Sequence, residues 1–175
     1  MNAEKLLRQY EFLFEGYSVS NLSGNEFAPN PNISLKQQIN DFFNSLGNRA
    51  NSVFGEVVLD NRAFKDTSYH GIGREKVIAF KAVPDVLEKG IEILPMSNHK
   101  QGVVSGMIGA PVKIGDKDYI MVVVVRKYGG GNRLYLHEVT LKEKLPVDLS
   151  KPHKGGNPKG DILSVLNDIA NAKPS

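Results

Sequence analysis

The sequence contains no cysteine and no tryptophan among its 175 residues. Without cysteine the chain can form neither disulfides nor thiolate zinc sites, and it has no cysteine nucleophile. The longest apolar run, Tyr119–Val125, has the length of a strand and falls far short of the roughly 20 residues of a membrane helix. The first residues hold no apolar stretch of signal-peptide length, so we expect neither a signal peptide nor a transmembrane segment.

The chain also has almost no excess of one charge, since it contains 22 Lys and Arg and 19 Asp and Glu, which give a net charge of +3. The hydrophobic fraction of 41% and the charged fraction of 23% are typical of a globular domain and exclude wholesale disorder. Residues 1–61 are acidic and the remaining two-thirds are basic. This uneven distribution favours a surface that attracts anions.

Hydrophobic periodicity changes from helical to strand-like near Gly90. The spacing predicts helices over Ala3–Tyr17, Ser34–Leu46, Arg74–Lys81, Pro84–Lys89 and Asp161–Ala170. Strands are predicted over Glu56–Asp60, Ile91–Leu94, Gly102–Ile114, Tyr119–Arg126 and Arg133–Leu141. The fold class is therefore α+β, with N-terminal helices followed by an antiparallel meander of strands and a C-terminal helix. Residues 1–53 are interpreted as a helical leader and residues 54–175 as the α+β domain.

The last predicted strand carries the most informative side chains. Strand alternation places Arg133, Tyr135 and His137 on one face, opposite a face of leucines that also includes Glu138. A guanidinium, a phenol and an imidazole in a row either form a solvated outer face or line an active site.

A second candidate lies in the segment Lys65–Lys76, where His70 stands among hydroxyls, cations and glycines. Such a segment either binds a ligand or ends a helix. Arg126 and Arg133 flank a glycine-rich hairpin loop and could hold a phosphate. Whether Arg126 shares the face of Tyr135 depends on the hairpin register, which the sequence leaves open.

These residue types suit the cleavage of RNA without a metal. A base must take the ribose 2′-OH proton, an acid must protonate the leaving 5′-oxygen, and cations must stabilise the phosphorane. Histidine can serve as base or acid because its pKa is near 6.5. Acidic residues do not cluster as a magnesium site requires, so we expect neither a metal nor a cofactor.

Several motifs are similar to one known family. They are Gly55-Glu-Val-Val-Leu-Asp60, Lys65-Asp66 through His70-Gly71, Ala79–Gly90, Ala110-Pro-Val, Tyr119–Arg126, Asn132-Arg-Leu-Tyr-Leu-His-Glu-Val139 and Pro158-Lys-Gly-Asp-Ile-Leu-Ser-Val-Leu. Together they resemble the C-terminal nuclease-like toxin domain of phage MuF-type and large polyvalent proteins. That domain is grouped with the barnase–EndoU–colicin E5/D–RelE (BECR) superfamily of ribonucleases. The resemblance covers roughly residues 54–168.

The resemblance implies N-terminal helices followed by a four-stranded antiparallel sheet. It also implies a metal-independent endoribonuclease toxin that leaves a 2′,3′-cyclic phosphate and acts in the cytoplasm of a target bacterium. It makes His70, Tyr135 and His137 the catalytic candidates, with Lys65, Lys76 and Arg126 as supports. The implied partners are an RNA substrate and an immunity protein, with no membrane. Two alternatives stay open. One is a non-catalytic RNA- or protein-binding module, and the other is a toxin that acts on a nucleotide cofactor.

Overall fold

The computed structural model describes residues 11–14, 17–65, 73–100, 102–128 and 131–144. Within these ranges, seven strands form one mixed sheet shaped as a half-barrel. The strands are β1 (Ser20–Leu22), β2 (Arg49–Ser52), β3 (Gly55–Val58), β4 (Ile91–Lys100), β5 (Val103–Ile114), β6 (Lys117–Lys127) and β7 (Leu134–Glu143). Their order is β1-β5-β6-β7-β3-β2. β4 pairs with residues 103–109 of β5, a part of that strand that does not pair with β1.

Short helices cover one face of the sheet. In the described ranges they are α1 (Leu35–Ser45), α2 (Arg62–Lys65), α3 (Arg74–Ala79), a 3₁₀ turn (Phe80–Ala82) and α4 (Val83–Lys89), and residues 11–14 are also helical. None of the described helices is both long and apolar enough to cross a membrane. The predicted C-terminal helix, Asp161–Ala170, lies outside the described residues.

The predicted four-stranded antiparallel sheet is wrong, because three further strands join it and two of its pairings are parallel. β1 pairs in parallel with β5, and β3 pairs in parallel with β7. β1 and β2 have only three and four residues with polar sequences, too short for an alternating pattern to reveal them. Strands and helices therefore alternate along the first half of the chain, and the helices do not all precede the strands.

The two faces of the sheet are packed differently. Val123 and Val125 on β6 join the main core with Phe43 and Phe80 from the helices. On the opposite face, Ile120 and Val122 form a smaller cluster with Leu13, and Ile91, Ile93 and Met107 pack against it. The four consecutive valines of β6 thus serve both faces, as a strand buried on two sides requires. We call the second side the outer face.

Several sequence predictions are confirmed. α1 begins after Ser34, whose hydroxyl accepts a hydrogen bond of 3.1 Å from the amide of Gln37. The β5–β6 hairpin turns at Gly115, where φ is +62°. The division of the chain at residue 53 stays a prediction, although β1 and β2 lie before it and pair with strands that follow it.

Candidate functional site

β7 carries two of the predicted site residues, Tyr135 and His137. Buried Leu134 and Leu136 alternate with them and contact the main core, so Tyr135 and His137 lie on the outer face. The pairing with β6 shifts by one residue at this point, which makes His137 the extra residue of a β-bulge. Bulges of this kind redirect side chains, and this one occurs within the predicted site.

The bulge reverses the alternation of β7 beyond His137. Val139 contacts the main core, whereas Glu138 lies opposite Val124, which is not part of that core. The prediction that Glu138 shares the leucine face is therefore wrong, because a bulge shifts the period by one residue. Glu138 is nevertheless buried, with 6% of its surface exposed.

Arg126 lies directly opposite Tyr135 in the β6–β7 pairing. Residues in this position have Cβ atoms about 4.5–5.5 Å apart and project from the same face. The structure thus settles the register that the sequence left open. Arg126 belongs to the outer face together with Tyr135 and His137.

Arg62, at the start of α2, stacks against two tyrosine rings. Its guanidinium carbon lies 3.9 Å from the ring centroid of Tyr135 and 4.6 Å from that of Tyr128. The two rings meet edge to face with their centroids 5.5 Å apart. Nη1 of Arg62 is 3.6 Å from Oδ2 of Asp60. A planar, weakly hydrated guanidinium suits this position between rings, where a lysine would not stack.

The hydroxyl of Tyr128 is hydrogen-bonded to Nδ1 of His137, with 2.5 Å between the oxygen and the nitrogen. When the imidazole is neutral, either the phenol donates to Nδ1 or Nδ1–H donates to the phenol oxygen, according to the tautomer, and when the imidazole is protonated Nδ1 donates. A hydrogen bond at one ring nitrogen determines where the imidazole carries its proton. The contact therefore joins a phenol and an imidazole, two groups that can each donate or accept a proton, through one hydrogen bond.

We name this group the Arg–Tyr–His cluster, consisting of Arg62, Arg126, Tyr128, Tyr135 and His137. All five side chains are half-buried. The guanidinium carbon of Arg126 is 6.0 Å from the Tyr128 ring centroid. Nε of Arg126 is buried without a hydrogen-bond acceptor in the described part of the chain, whereas Nη1 of Arg62 makes no hydrogen bond there but forms the ion pair with Asp60. The cluster thus combines two guanidiniums, one of them paired with Asp60, with the buried Nε donor of Arg126, and this combination favours an anionic ligand.

The remaining predicted site residues are not brought into this cluster. His70 lies outside the described residues, and so does the side chain of Lys65. Lys76 is half-buried on α3, and within the described ranges it makes none of the cluster's ring or ion-pair contacts. Arg133 is exposed and lines a separate cleft of about 310 Å³. The residues that line that cleft are Gly47, Asn48, Arg49, Glu56, Val58, Arg133 and Leu134.

Sequence reasoning missed Arg62 and Tyr128. Tyr128 directly precedes Gly129–Gly131, and its position beside three glycines was the signal that the sequence offered for it. Arg62 is separated from Tyr135 by more than seventy residues, and periodicity contains no information about such a contact. The parallel pairing of β3 with β7 brings it there, because α2 begins shortly after β3 ends.

The described ranges contain no group of three or more His, Cys, Asp or Glu residues arranged to hold a metal ion. The donors in the Arg–Tyr–His cluster are guanidiniums, phenols and one imidazole, which suit an anion better than a cation. That the chemistry needs neither metal nor cofactor stays a prediction.

The family model for large polyvalent protein-associated domain 3 matches residues 34–135, more than half of the chain. The chain therefore belongs to that family. The match confirms the expected relation to large polyvalent proteins but does not extend to the ribonuclease superfamily. No curated protein and no solved structure matches the chain.

Proposed function

We propose that this domain is a metal-independent endoribonuclease that serves as a toxin module of a large polyvalent phage protein. The observation that carries the proposal is the hydrogen bond between Tyr128 and His137 beside two arginines on one face of the sheet. Phosphodiester cleavage needs proton transfer and the stabilisation of negative charge. A hydrogen-bonded phenol and imidazole can transfer a proton, and the neighbouring guanidiniums can stabilise the charge. The family relation supports the polyvalent-protein context.

In the proposed reaction the ribose O2′ loses its proton and attacks phosphorus, and the bond from phosphorus to O5′ breaks. The products are a 2′,3′-cyclic phosphate and a 5′-hydroxyl, with O5′ taking up a proton. The Tyr128–His137 pair transfers one of these protons, and His70 is the sequence-based candidate for the other. Arg126 and Arg62 stabilise the additional negative charge of the phosphorane.

Tyr135 has a different role in this proposal from the one that the sequence suggests. Its ring lies 3.9 Å from the guanidinium carbon of Arg62 and edge to face with Tyr128. Both contacts are made by the ring and not by the hydroxyl. We therefore assign Tyr135 as a positioning residue that orients Arg62 and Tyr128, and we assign Tyr128 as the phenol of the reaction.

The test is incubation of the full chain with total RNA in EDTA, followed by analysis of the new 3′ ends. We expect cleavage that leaves 2′,3′-cyclic phosphates, and no cleavage of single-stranded DNA, which lacks the 2′-OH. His137→Ala should lower the rate roughly 10²-fold or more with little loss of RNA affinity. Cleavage of DNA at the same rate, or activity only after magnesium is added, would reject the mechanism.

A non-catalytic binding module is the second candidate, and one observation favours it. Arg62 already has both rings and the Asp60 carboxylate as partners, an arrangement that also serves to rigidify a binding surface. RNA binding without new 3′ ends in the same assay would support this candidate. An immunity protein that blocks the cluster is expected only if the domain is a toxin.

A further inference from the structure

The cluster is part of a longer row of residues on the outer face. Cross-strand partners connect Arg49 to Val58, Val58 to Tyr135, Tyr135 to Arg126, and Arg126 to Ser105. Directly paired residues project from the same face of a sheet. One row therefore crosses five strands, from β2 to β5. Arg49 lies at its β2 end, and Arg126 lies on its fourth strand, β6.

The β2 end of this row opens into the cleft of about 310 Å³. Val58 lines the cleft and is the direct partner of Tyr135, so the cleft adjoins the Arg–Tyr–His cluster with no strand between them. Arg49 and Arg133 supply two guanidiniums to its lining, and Glu56 supplies one carboxylate. The cleft thus has a net positive lining and lies next to the proposed reaction site.

The positive groups of the cleft are available to a ligand. Nη1 of Arg49 lies 3.4 Å from Oε1 of Glu56, and both side chains are more than half exposed, at 62% and 56%. An exposed ion pair of this kind contributes little to stability, so a phosphate can replace the carboxylate at small cost. Each guanidinium, of Arg49 and of Arg133, can bind a phosphate through two parallel N–H donors.

We infer that this cleft binds a second phosphate of the RNA strand whose scissile phosphodiester lies at the cluster. The inference rests on the proposed function and extends it to a single-stranded substrate that runs across the sheet. Three strand spacings of about 4.8 Å place the Cα atoms of Arg49 and Arg126 about 14 Å apart. A nucleotide step is about 3.4 Å in a stacked strand, so the two arginines contact different phosphates. Cations interspersed with an aromatic ring are typical of sheets that bind single strands.

The experiment measures binding of a labelled single-stranded DNA of about 10 nucleotides to the full chain by fluorescence anisotropy at several salt concentrations. The DNA reproduces the phosphates but lacks the 2′-OH, so it stays intact. The combined variant Arg49→Gln/Arg133→Gln should weaken binding about 10-fold. It should also reduce the slope of log affinity against log salt concentration by about 1.4, since each phosphate contact to a single strand contributes about 0.7. Glu56→Gln should tighten binding, because it removes the competing carboxylate.

Lys89→Gln is the matched control, since Lys89 forms an exposed ion pair with Asp85 on α4 at 3.8 Å. It should leave both affinity and slope unchanged. An unchanged slope in the Arg49→Gln/Arg133→Gln variant, or an equal loss in Lys89→Gln, would overturn the second phosphate site.

Cleavage of a dinucleotide by the wild-type protein tests the proposed function separately, because this substrate is too short to reach the cleft. If the dinucleotide is cut and the double variant binds DNA normally, the cleft is rejected and the nuclease stands. If nothing is cut but the double variant loses DNA affinity, the phosphate site stands and the nuclease is rejected. Absence of any binding by the wild-type protein would reject the cleft site.

Discussion

Arg126 and Tyr135 lie directly opposite each other on β6 and β7, and the two backbones hold the guanidinium and the phenol ring on one face of the sheet. Arg62, at the start of α2, stacks on the Tyr135 ring. A site built on paired strands keeps its geometry better than one built on loops, because the ladder limits the freedom of both residues. The predictions below test this rigid arrangement and the fold that supports it.

Tyr128→Phe should lower the rate of RNA cleavage about 10²-fold, since it removes the hydroxyl bonded to His137 and keeps the ring beside Arg62. The free energy of unfolding should change by about 1 kcal/mol, the net value of one hydrogen bond. Single-turnover kinetics and urea denaturation measure the two effects. Tyr17→Phe is the control, since Tyr17 is 97% exposed. Equal cleavage rates in both variants would exclude Tyr128 from proton transfer.

Arg62→Met and Tyr135→Leu should not be additive in a double-mutant cycle on the free energy of unfolding. The guanidinium lies 3.9 Å from the ring centroid, and such a contact at a half-buried site contributes about 0.5–1 kcal/mol. Urea denaturation of the wild type, both single variants and the double variant gives the coupling. A coupling energy indistinguishable from zero would show that the stacking does not stabilise the fold.

Gly90→Ala should destabilise the protein strongly, by about 1–3 kcal/mol or more. A Cβ atom at Gly90 would collide with the carbonyl oxygen of Val86, lie 2.6 Å from Cγ2 of Ile108 and lie 2.9 Å from the carbonyl oxygen of Gly109. Two of these three atoms belong to the backbone and cannot move aside.

Gly131→Ala is the matched control for Gly90→Ala, because no atom of the described part of the chain lies within 4 Å of its added Cβ. Thermal denaturation of both variants should show a lower Tm for Gly90→Ala alone. Equal Tm values would mean that the junction between α4 and β4 is less closely packed than the structure shows.

Glu26→Gln should make the free energy of unfolding less dependent on pH in the acidic range. Burial acts to raise the pKa of Glu26, but hydrogen bonds from the amides of Ser23 and Gly24 outweigh it and hold the pKa below the usual 4.5. A lowered carboxyl pKa contributes stability above about pH 4.5, and this contribution is lost as the pH falls through the folded-state value.

Urea denaturation at pH 7 and at pH 3 should therefore show the wild type more stable than Glu26→Gln at pH 7, with the difference shrinking at pH 3. Glu88→Gln, an exposed substitution on α4, serves as the control. A difference that grows toward low pH would mean that the carboxylate is not stabilised by the folded chain.

Much of the local structure could be predicted from the sequence. Helix α1, strands β5 and β6 and the turn at Gly115 follow from apolar spacing and glycine placement, which act over a few residues. The placement of Tyr135 and His137 on one face followed in the same way. The bulge at His137 could not be predicted, since a single extra residue leaves no mark in the hydrophobic pattern until the partner strand is known.

The sequence by itself determined the absence of disulfides, the elements with clear periodicity and the chemical types present in β7, because these depend on composition and on neighbouring residues. Only the tertiary structure decided that β3 lies beside β7, that β1 and β2 join the sheet, and that Arg62 meets Tyr128 and Tyr135. Strand pairing is selected by the packing of distant segments against a shared core, so local pattern cannot specify it. The arrangement of the Arg–Tyr–His cluster depends on that pairing. The residue types on β7 could therefore be predicted from the sequence, but which residues of other elements join the cluster could not.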